Sequence, residues 1–347
     1  MIDVAVLGCG RIARDFHIPS ILSIEDARIV ALCDTSRISL DRASKLYPKA
    51  DLFESPDALL GSELADVVDI CTPGFTHHSL ATKALETGHH VIVEKPVALS
   101  LNDTLKIDAA MRKAGRQVCV VQSLRFHDNV RQFMRGLNSK QLGNVAKFSG
   151  IHHGRNMHNE ASWVHDENLS GGLVYEIAIH LIDLMAVLLG KPREIVGINV
   201  HYHPDLRLIT GIETMVRFGQ GRMGYLDLAQ DATLHSAIFT QASVYCTGAD
   251  AFLKFGPDYL RISSGQVDPL QETVSETRRL VNFGFNVASR RYRSSRINPH
   301  RAIIHGFFRS LTSQSEPPVP LDSVFDTMTL ADLLWNEAKK RTLEVAQ

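Results

Sequence analysis

The sequence predicts an α/β protein in two parts: residues 1–122 as a doubly wound parallel sheet, and residues 123–347 as an α+β part with antiparallel strands. Three observations carry this expectation. Short Val- and Ile-rich runs alternate with helical patterns from Ile2 to Val121, as strands joined by crossover helices do. A glycine-rich turn joins the first run to the first helix. Beyond Gly190, strand-like runs follow one another without intervening helices, so they pair antiparallel. The length, 347 residues, suits two domains at about 150 residues each.

The first run, Ile2 to Leu7, leads into Gly8-Cys9-Gly10-Arg11-Ile12-Ala13 and then a helix to about Leu22. Strand, glycine-rich turn and helix is the context a dinucleotide fingerprint requires. Gly8 permits the tight turn, Gly10 lets backbone amides approach a pyrophosphate, and the small Ala13 lets helix and strand pack closely. The second run, Arg28 to Cys33, ends in Asp34, about 20 residues on, where a carboxylate accepts hydrogen bonds from ribose hydroxyls. Asp34 also reads as a turn or cap residue before Ser36. Its charge repels a 2′-phosphate and favours NAD, while Arg11 and Arg37 lie near enough to keep NADP open.

Runs at Asp51 to Phe53, Val67 to Cys71, His90 to Val93 and Gln117 to Val121 continue the sheet, with helices at Pro56 to Leu60, His78 to Glu86 and Leu101 to Ala114. Two connections fall at strand C-terminal ends, where such sheets bind ligands: Thr72-Pro73-Gly74-Phe75-Thr76-His77 and Glu94-Lys95-Pro96. Lys95 is either a rim charge paired with Glu94 or an ammonium aimed into the cleft, and a lysine's flexible stem fits both.

After the linker-like Gln122-Ser123 come a helix from His127 to Leu137 and a strand near Val145 to His152. His152, His153, His158 and His165 are dense, but their spacing does not set a pair on one helix face beside a carboxylate, so no metal site is expected. The stretch Gly171 to Gly190 reads GGLVYEIAIHLIDLMAVLLG. It is apolar nearly all round and expected to be buried. Glu176, His180 and Asp183 share a sector of roughly 60° on that helix at ~100° per residue. Burying such groups requires partners. Either the three form a closed structural network or they belong to a site.

Strands are expected at Glu194 to Tyr202, Ile212 to Phe218, Arg222 to Leu228, Ala237 to Cys246 and Asp250 to Phe255, with Gly219-Gln220-Gly221 as a hairpin turn. Thr277 to Ser315 carries eight arginines and no acidic residue. This is either a solvated or interface face, or a patch that attracts phosphate groups or an anionic membrane surface. Helices at Ile303 to Leu311 and Ser323 to Val345 follow.

The formal net charge is −1, so nothing global points to nucleic acid. The N-terminus lacks a basic region followed by an apolar one, and no uninterrupted apolar run approaches ~20 residues, so neither a secretory signal nor an integral membrane segment is expected and the protein reads as cytoplasmic. Five scattered cysteines, Cys9, Cys33, Cys71, Cys119 and Cys246, read as small buried hydrophobes rather than a disulfide or zinc framework.

The glycine-rich turn, Thr72-Pro73 with His77, Glu94-Lys95-Pro96, Arg125-Phe126, Trp163, and Gly171-Gly172 leading to Glu176, His180 and Asp183 occur in an order and spacing that resembles the glucose–fructose oxidoreductase / inositol dehydrogenase / rhizopine catabolism (Gfo/Idh/MocA) family. The resemblance spans nearly the whole chain. It implies an NAD(P)-binding Rossmann domain over 1–122. Over 123–347 it implies a substrate-binding α+β domain built on a large, mostly antiparallel sheet, used for homodimers or homotetramers. It further implies oxidoreduction of a sugar, cyclitol or nucleotide-linked sugar, with Lys95 and His180 around the reacting carbinol. Two positions depart from the family pattern: its usual aspartate four residues before the histidine is Glu176, and its usual asparagine after Thr-Pro is Gly74.

On this reading His180 is the general base, Glu176 or Asp183 orients and stabilises its ring, and Lys95 stabilises alkoxide charge or relays the proton. Arg125, Arg155, Asn156 and Trp163 are the candidate sugar contacts. Gly8, Gly10, Arg11, Ile12, Ala13, Asp34, Arg37, Thr72, Pro73, His77, Glu94 and Lys95 are the candidate cofactor contacts. Two rival activities exist within the resemblance. A glycoside hydrolase using transient oxidation returns its cofactor unchanged, so net NADH formation separates it from a dehydrogenase. A non-catalytic sensor predicts loss of the lysine and histidine, and both are present.

Overall fold

The structure is a computed structural model, and it describes residues 1–154, 163–203, 208–230, 239–255, 258–263 and 298–345. Arg155, Asn156, His158 and six of the eight clustered arginines lie outside the described residues. The chain divides into two compact units, 1–123 with 158–183 and 300–335, and 124–157 with 184–299 and 336–347.

The first unit holds the six expected strands, β1 (Ile2–Leu7), β2 (Ala27–Cys33), β3 (Asp51–Phe53), β4 (Val67–Ile70), β5 (His90–Glu94) and β6 (Val118–Val121). All are parallel, in the order β3-β2-β1-β4-β5-β6. Strands covered on both faces need apolar side chains throughout, and Val4 to Leu7 and Val91 to Val93 are fully buried accordingly. The strand order reverses between β1 and β4, and the crevice at their C-terminal ends is where this topology takes ligands. Ser36, Ser55 and Ser100 cap the helices that follow them, each accepting a backbone N–H three residues on. The helix expected from His78 instead starts at Gly74: Pro73 is extended, and the Thr76 hydroxyl donates back to its carbonyl.

The two helices nearest the expected site are not regular. Ala13–His17 and Val174–Ala178 are each one turn of π-helix, continued by α-helix at Ile18–Ile21 and Ile179–Leu189. The stretch Glu167–Leu189 is long and apolar enough to cross a membrane by composition, yet 72% of its apolar window is buried within the protein, as in a core helix.

The second unit is organised on a seven-stranded sheet of β7 (Val145–Gly154), β8 (Pro192–His203), β9 (Leu208–Phe218), β10 (Met223–Gln230), β11 (Phe239–Cys246), β12 (Asp250–Phe255) and β13 (Tyr259–Ser263), in the order β13-β12-β11-β7-β10-β9-β8. All pairings are antiparallel except β7 with β10. The strand β13 has no counterpart in the sequence expectations. The β9–β10 hairpin turns at Gly219–Gly221, with Gln220 at φ 60°. Gln122, read as part of a linker, is buried at the end of β6.

Candidate active site

The glycine-rich loop is shaped by two opposite demands. Gly8 has φ +89°, and a Cβ there would lie 2.7 Å from the backbone of Cys71 and Thr72, so only glycine lets β1 and β4 end this close. A Cβ on Gly10 would meet nothing within 4 Å, so the loop backbone faces open space on the side where a pyrophosphate must approach. Asp34 ties the loop to β2: its Oδ2 accepts the Cys9 N–H and its Oδ1 the Ser36 N–H, each at 2.7 Å. Both readings of Asp34 therefore hold together, since each carboxylate oxygen has a further lone pair for a ribose hydroxyl. Arg37 is committed to Asp41 and Glu54, both at 2.9 Å, and Arg11 is exposed. At the end of β6, whose Val121 pairs with Glu94, Gln122 Oε1 is buried with no hydrogen-bond partner among the described residues. Leaving a buried acceptor open costs about 1–3 kcal/mol, and the amide and hydroxyl donors of a dinucleotide offset that cost. The open loop, the Asp34 carboxylate and this acceptor fit NAD.

The turn after β4 is locked to the turn after β5. Thr72 and Thr76 hydroxyls are 2.7 Å apart, and the buried His77 ring lies 2.8 Å from the Thr72 carbonyl and 2.6 Å from that of Pro96. Only an imidazolium could donate to both carbonyls, and burial, the largest influence on His77, lowers its pKa and opposes that form. Gly74 explains its own departure from the family pattern. A Cβ there would lie 3.1 and 3.2 Å from the Pro96 ring, beside the cis Lys95-Pro96 bond, so a side chain requires that ring to give by a few tenths of an ångström.

Glu94 does not pair with the Lys95 ammonium. Its Oε1 is 3.0 Å from His17 Nε2 and 3.4 Å from His300 Nε2, while its Oε2 accepts the Lys95 backbone N–H at 3.0 Å. The other nitrogen of His17 is 2.9 Å from both Asp69 oxygens. Burial lowers the pKa of the His17 ring, and the Asp69 charge more than offsets this, so the imidazolium is held well past its ordinary range. Burial raises the Glu94 carboxyl, and hydrogen bonds from His17 and His300 hold it well below the carboxylate range.

The ammonium of Lys95 turns instead toward the π turn, donating to the Glu176 carbonyl at 2.8 Å with the Glu176 carboxylate 3.7 Å away. The Glu176 carbonyl that Lys95 takes lies within that π turn. Lys95 and Glu176 keep 17% and 23% side-chain exposure, so both remain reachable by a ligand. Asp183 is fully buried and accepts the Thr327 hydroxyl at 2.9 Å. The three polar groups of this helix thus differ: Glu176 and His180 are half-buried, and Asp183 sits in the core.

Trp163 lies edge-on to Phe75, with ring centroids 6.0 Å apart. Arg125 falls in the second unit, in the short turn Ser123–Phe126, and Arg155 and Asn156 lie outside the described residues. Sequence reasoning missed His17, Asp69, His300, Thr327 and Phe75. The signal for Asp69 was present, because an acidic residue inside the buried run Val67-Val68-Asp69-Ile70 demands a buried cation.

Residues 2–122 match the oxidoreductase family with an NAD-binding Rossmann fold, and residues 130–251 match the GFO/IDH/MocA C-terminal domain. The uncharacterized oxidoreductase YdgJ of Escherichia coli (strain K12) is 23% identical over 356 residues, covering 98% of this chain and 97% of that one. The D-glucoside 3-dehydrogenase of the same strain is 27% identical over 199 residues, 57% of this chain and 56% of its own. The WlbA dehydrogenase from Bordetella pertussis, solved in complex with NADH and UDP-GlcNAcA, shares the fold with a TM-score of 0.81 at 19% identity, covering 98% of this chain and 96% of that one. Both sheets, the fingerprint loop and the two matched domains lead to one conclusion: the chain belongs to the Gfo/Idh/MocA family and is an NAD-binding oxidoreductase.

Proposed function

We propose that the protein transfers a hydride between NAD and a secondary alcohol carbon of a sugar, cyclitol or nucleotide-linked sugar, with Lys95 and His180 at the reacting carbinol. The observation that carries this reading is the seating of Lys95, whose ammonium is held half-buried by the Glu176 carbonyl and carboxylate at the ligand-binding end of the sheet. The relatives support the substrate class: one is a D-glucoside 3-dehydrogenase, and one is solved with UDP-GlcNAcA.

Bound NAD supplies the acceptor for the hydride that leaves the carbinol carbon. His180 takes the hydroxyl proton as the C–H pair departs and the C=O bond forms, leaving a ketone and an imidazolium. Lys95 donates to the same oxygen and stabilises its developing negative charge. Glu176 orients Lys95, and its carboxylate is free to turn toward a substrate hydroxyl. Asp183, fixed by Thr327, supports the helix that carries His180. The preferred cofactor is NAD, since Asp34 opposes a 2′-phosphate, with NADP left open by the exposed Arg11 and Arg37. In this reading residues 1–122 bind the cofactor, residues 123–347 carry the substrate and a homodimeric or homotetrameric assembly, and the setting is cytoplasmic. A panel of free and nucleotide-linked sugars and cyclitols, followed at the NADH absorbance band, tests it. Turnover of none of them, or turnover without net NADH from a glycoside, rejects it.

A further inference from the structure

Beneath the Lys95 turn, five ionisable side chains with no assigned role in the chemical step meet: Asp69, His17, Cys71, Glu94 and His300. Three of them belong to elements that border the ligand crevice. His17 closes the π turn after the glycine-rich loop, Asp69 sits in β4, and Glu94 ends β5 next to Lys95.

We propose that His17 is a positioning residue for Lys95: its imidazolium, clamped between Asp69 and Glu94, fixes the carboxylate that holds the main chain of Lys95. This rests on the reading of Lys95 as a residue of the reacting centre.

Both ring nitrogens of His17 face carboxylate oxygens at 2.9 to 3.0 Å, and only a ring carrying a hydrogen on each nitrogen satisfies both. Two buried carboxylates with one buried cation form a set in which removing the cation leaves uncompensated charge. Glu94 divides its two oxygens between tasks: Oε1 faces the imidazolium, and Oε2 accepts the backbone N–H of Lys95. The carboxylate is therefore a bracket between the imidazolium and the catalytic turn. His300 steadies the same Oε1 from 3.4 Å while its ring stacks on Phe16 with centroids 4.7 Å apart. The charges around Glu94 are His17 and His300 in contact, with His77, Lys95 and Cys71 at longer range. Without His17, burial is the main influence left on Glu94. The carboxyl pKa then rises, so it takes up a proton at higher pH than in wild type and gives it back as the pH rises.

The test compares wild type with His17→Gln, Asp69→Asn, Glu94→Gln and Lys95→Ala, measuring NADH Kd by fluorescence and kcat and KM from about pH 5 to about pH 9. A displaced catalytic group costs up to about 100-fold, so His17→Gln is expected to lower kcat by roughly 10- to 100-fold at neutral pH. NADH Kd and KM are expected to stay within about threefold. The distinguishing sign is a new acid limb, with kcat recovering as the pH rises; Glu94→Gln shows the loss without the recovery. Asp69→Asn approaches the clamp from its other end and keeps the inference testable if His17→Gln does not fold. Its imidazolium deprotonates at lower pH, and kcat falls on an alkaline limb displaced toward neutral. Wild-type profiles in both variants overturn the inference, as does a parallel loss of NADH binding and kcat with an unchanged profile, which marks a scaffold role. Lys95→Ala at the wild-type rate overturns the reading of the site, and this inference with it. Lys95→Ala impaired with the other variants unimpaired overturns the inference alone.

Discussion

The Lys95 ammonium and Glu176 meet twice, at 2.8 Å through the main-chain carbonyl and at 3.7 Å through the carboxylate. The neutral contact fixes where the lysine stands, and the charged one adds a second tie to the same residue. Lys95→Ala and His180→Ala are each expected to lower kcat by about 100-fold or more. Steady-state kinetics check this, and rates within about threefold of wild type for both variants count against the assignment.

Asp34 carries a double load, holding Cys9 and Ser36 while opposing a 2′-phosphate. Asp34→Ala is expected to weaken binding of both cofactors and to raise the NADP-to-NAD ratio of kcat/KM by roughly tenfold, about 1.4 kcal/mol. Parallel kinetics with the two cofactors measure the ratio.

A methyl group on Gly74 would press on the Pro96 ring at 3.1 to 3.2 Å. Gly74→Ala is expected to destabilise the protein by about 1–3 kcal/mol, and Gly74→Asn by more, since the larger side chain enters the same space. Denaturant unfolding gives these values. Restoring the family's asparagine therefore requires relief at Pro96 as well.

Asp183 is buried and depends on Thr327 for a hydroxyl donor. Thr327→Val, nearly the same shape, removes that donor and is expected to cost about 1–3 kcal/mol, while Thr327→Ser retains most of the stability. Thermal unfolding of the pair separates the lost hydroxyl from lost packing.

The buried clamp also sets how stability follows pH. His17 has a folded pKa above its ordinary 6.5, so its contribution is complete below pH 6.5 and is lost as the pH rises toward the folded value. Glu94 has a folded pKa below its ordinary 4.5, so its contribution is complete above pH 4.5 and is lost as the pH falls. The Tm difference between wild type and His17→Gln is therefore expected to be widest near pH 6.5 and to narrow on both sides, above it as wild-type His17 loses its proton and below it as Glu94 of the variant takes one up. Differential scanning fluorimetry across pH reads it, and a constant difference contradicts it.

The parallel sheet was legible because six apolar runs alternate with helices, and its ligand-binding edge because Gly8, Asp34 and Lys95 all fall at strand ends. The antiparallel sheet was legible as successive strands, although β13, Tyr-Leu-Arg-Ile-Ser, is too short and mixed to stand out. What pairs with what was not legible. Lys95 stands next to Glu94 in sequence and took a partner 81 residues away, because Glu94 was already held by His17 and His300. The even stripe of Glu176, His180 and Asp183 assumed regular α geometry, and a single wider turn is invisible in so short an apolar stretch. The buried cluster was hidden for a different reason: its members are spread from His17 to His300, and only the fold brings them within reach.

The wide turn at Val174–Ala178 amounts to a one-residue insertion carried inside a helix. Delete Ile177 or Ala178, which follow Glu176, and the apolar composition hardly changes, while the helix is free to close into an even spiral. Everything before the deletion then rotates by about 100° against Ile179–Leu189, and the carbonyl that received the lysine turns away with it. Chain length at this point governs the site more tightly than side-chain identity. A variant of this chain shortened here, with every motif residue in place, is expected to lose the socket for its lysine.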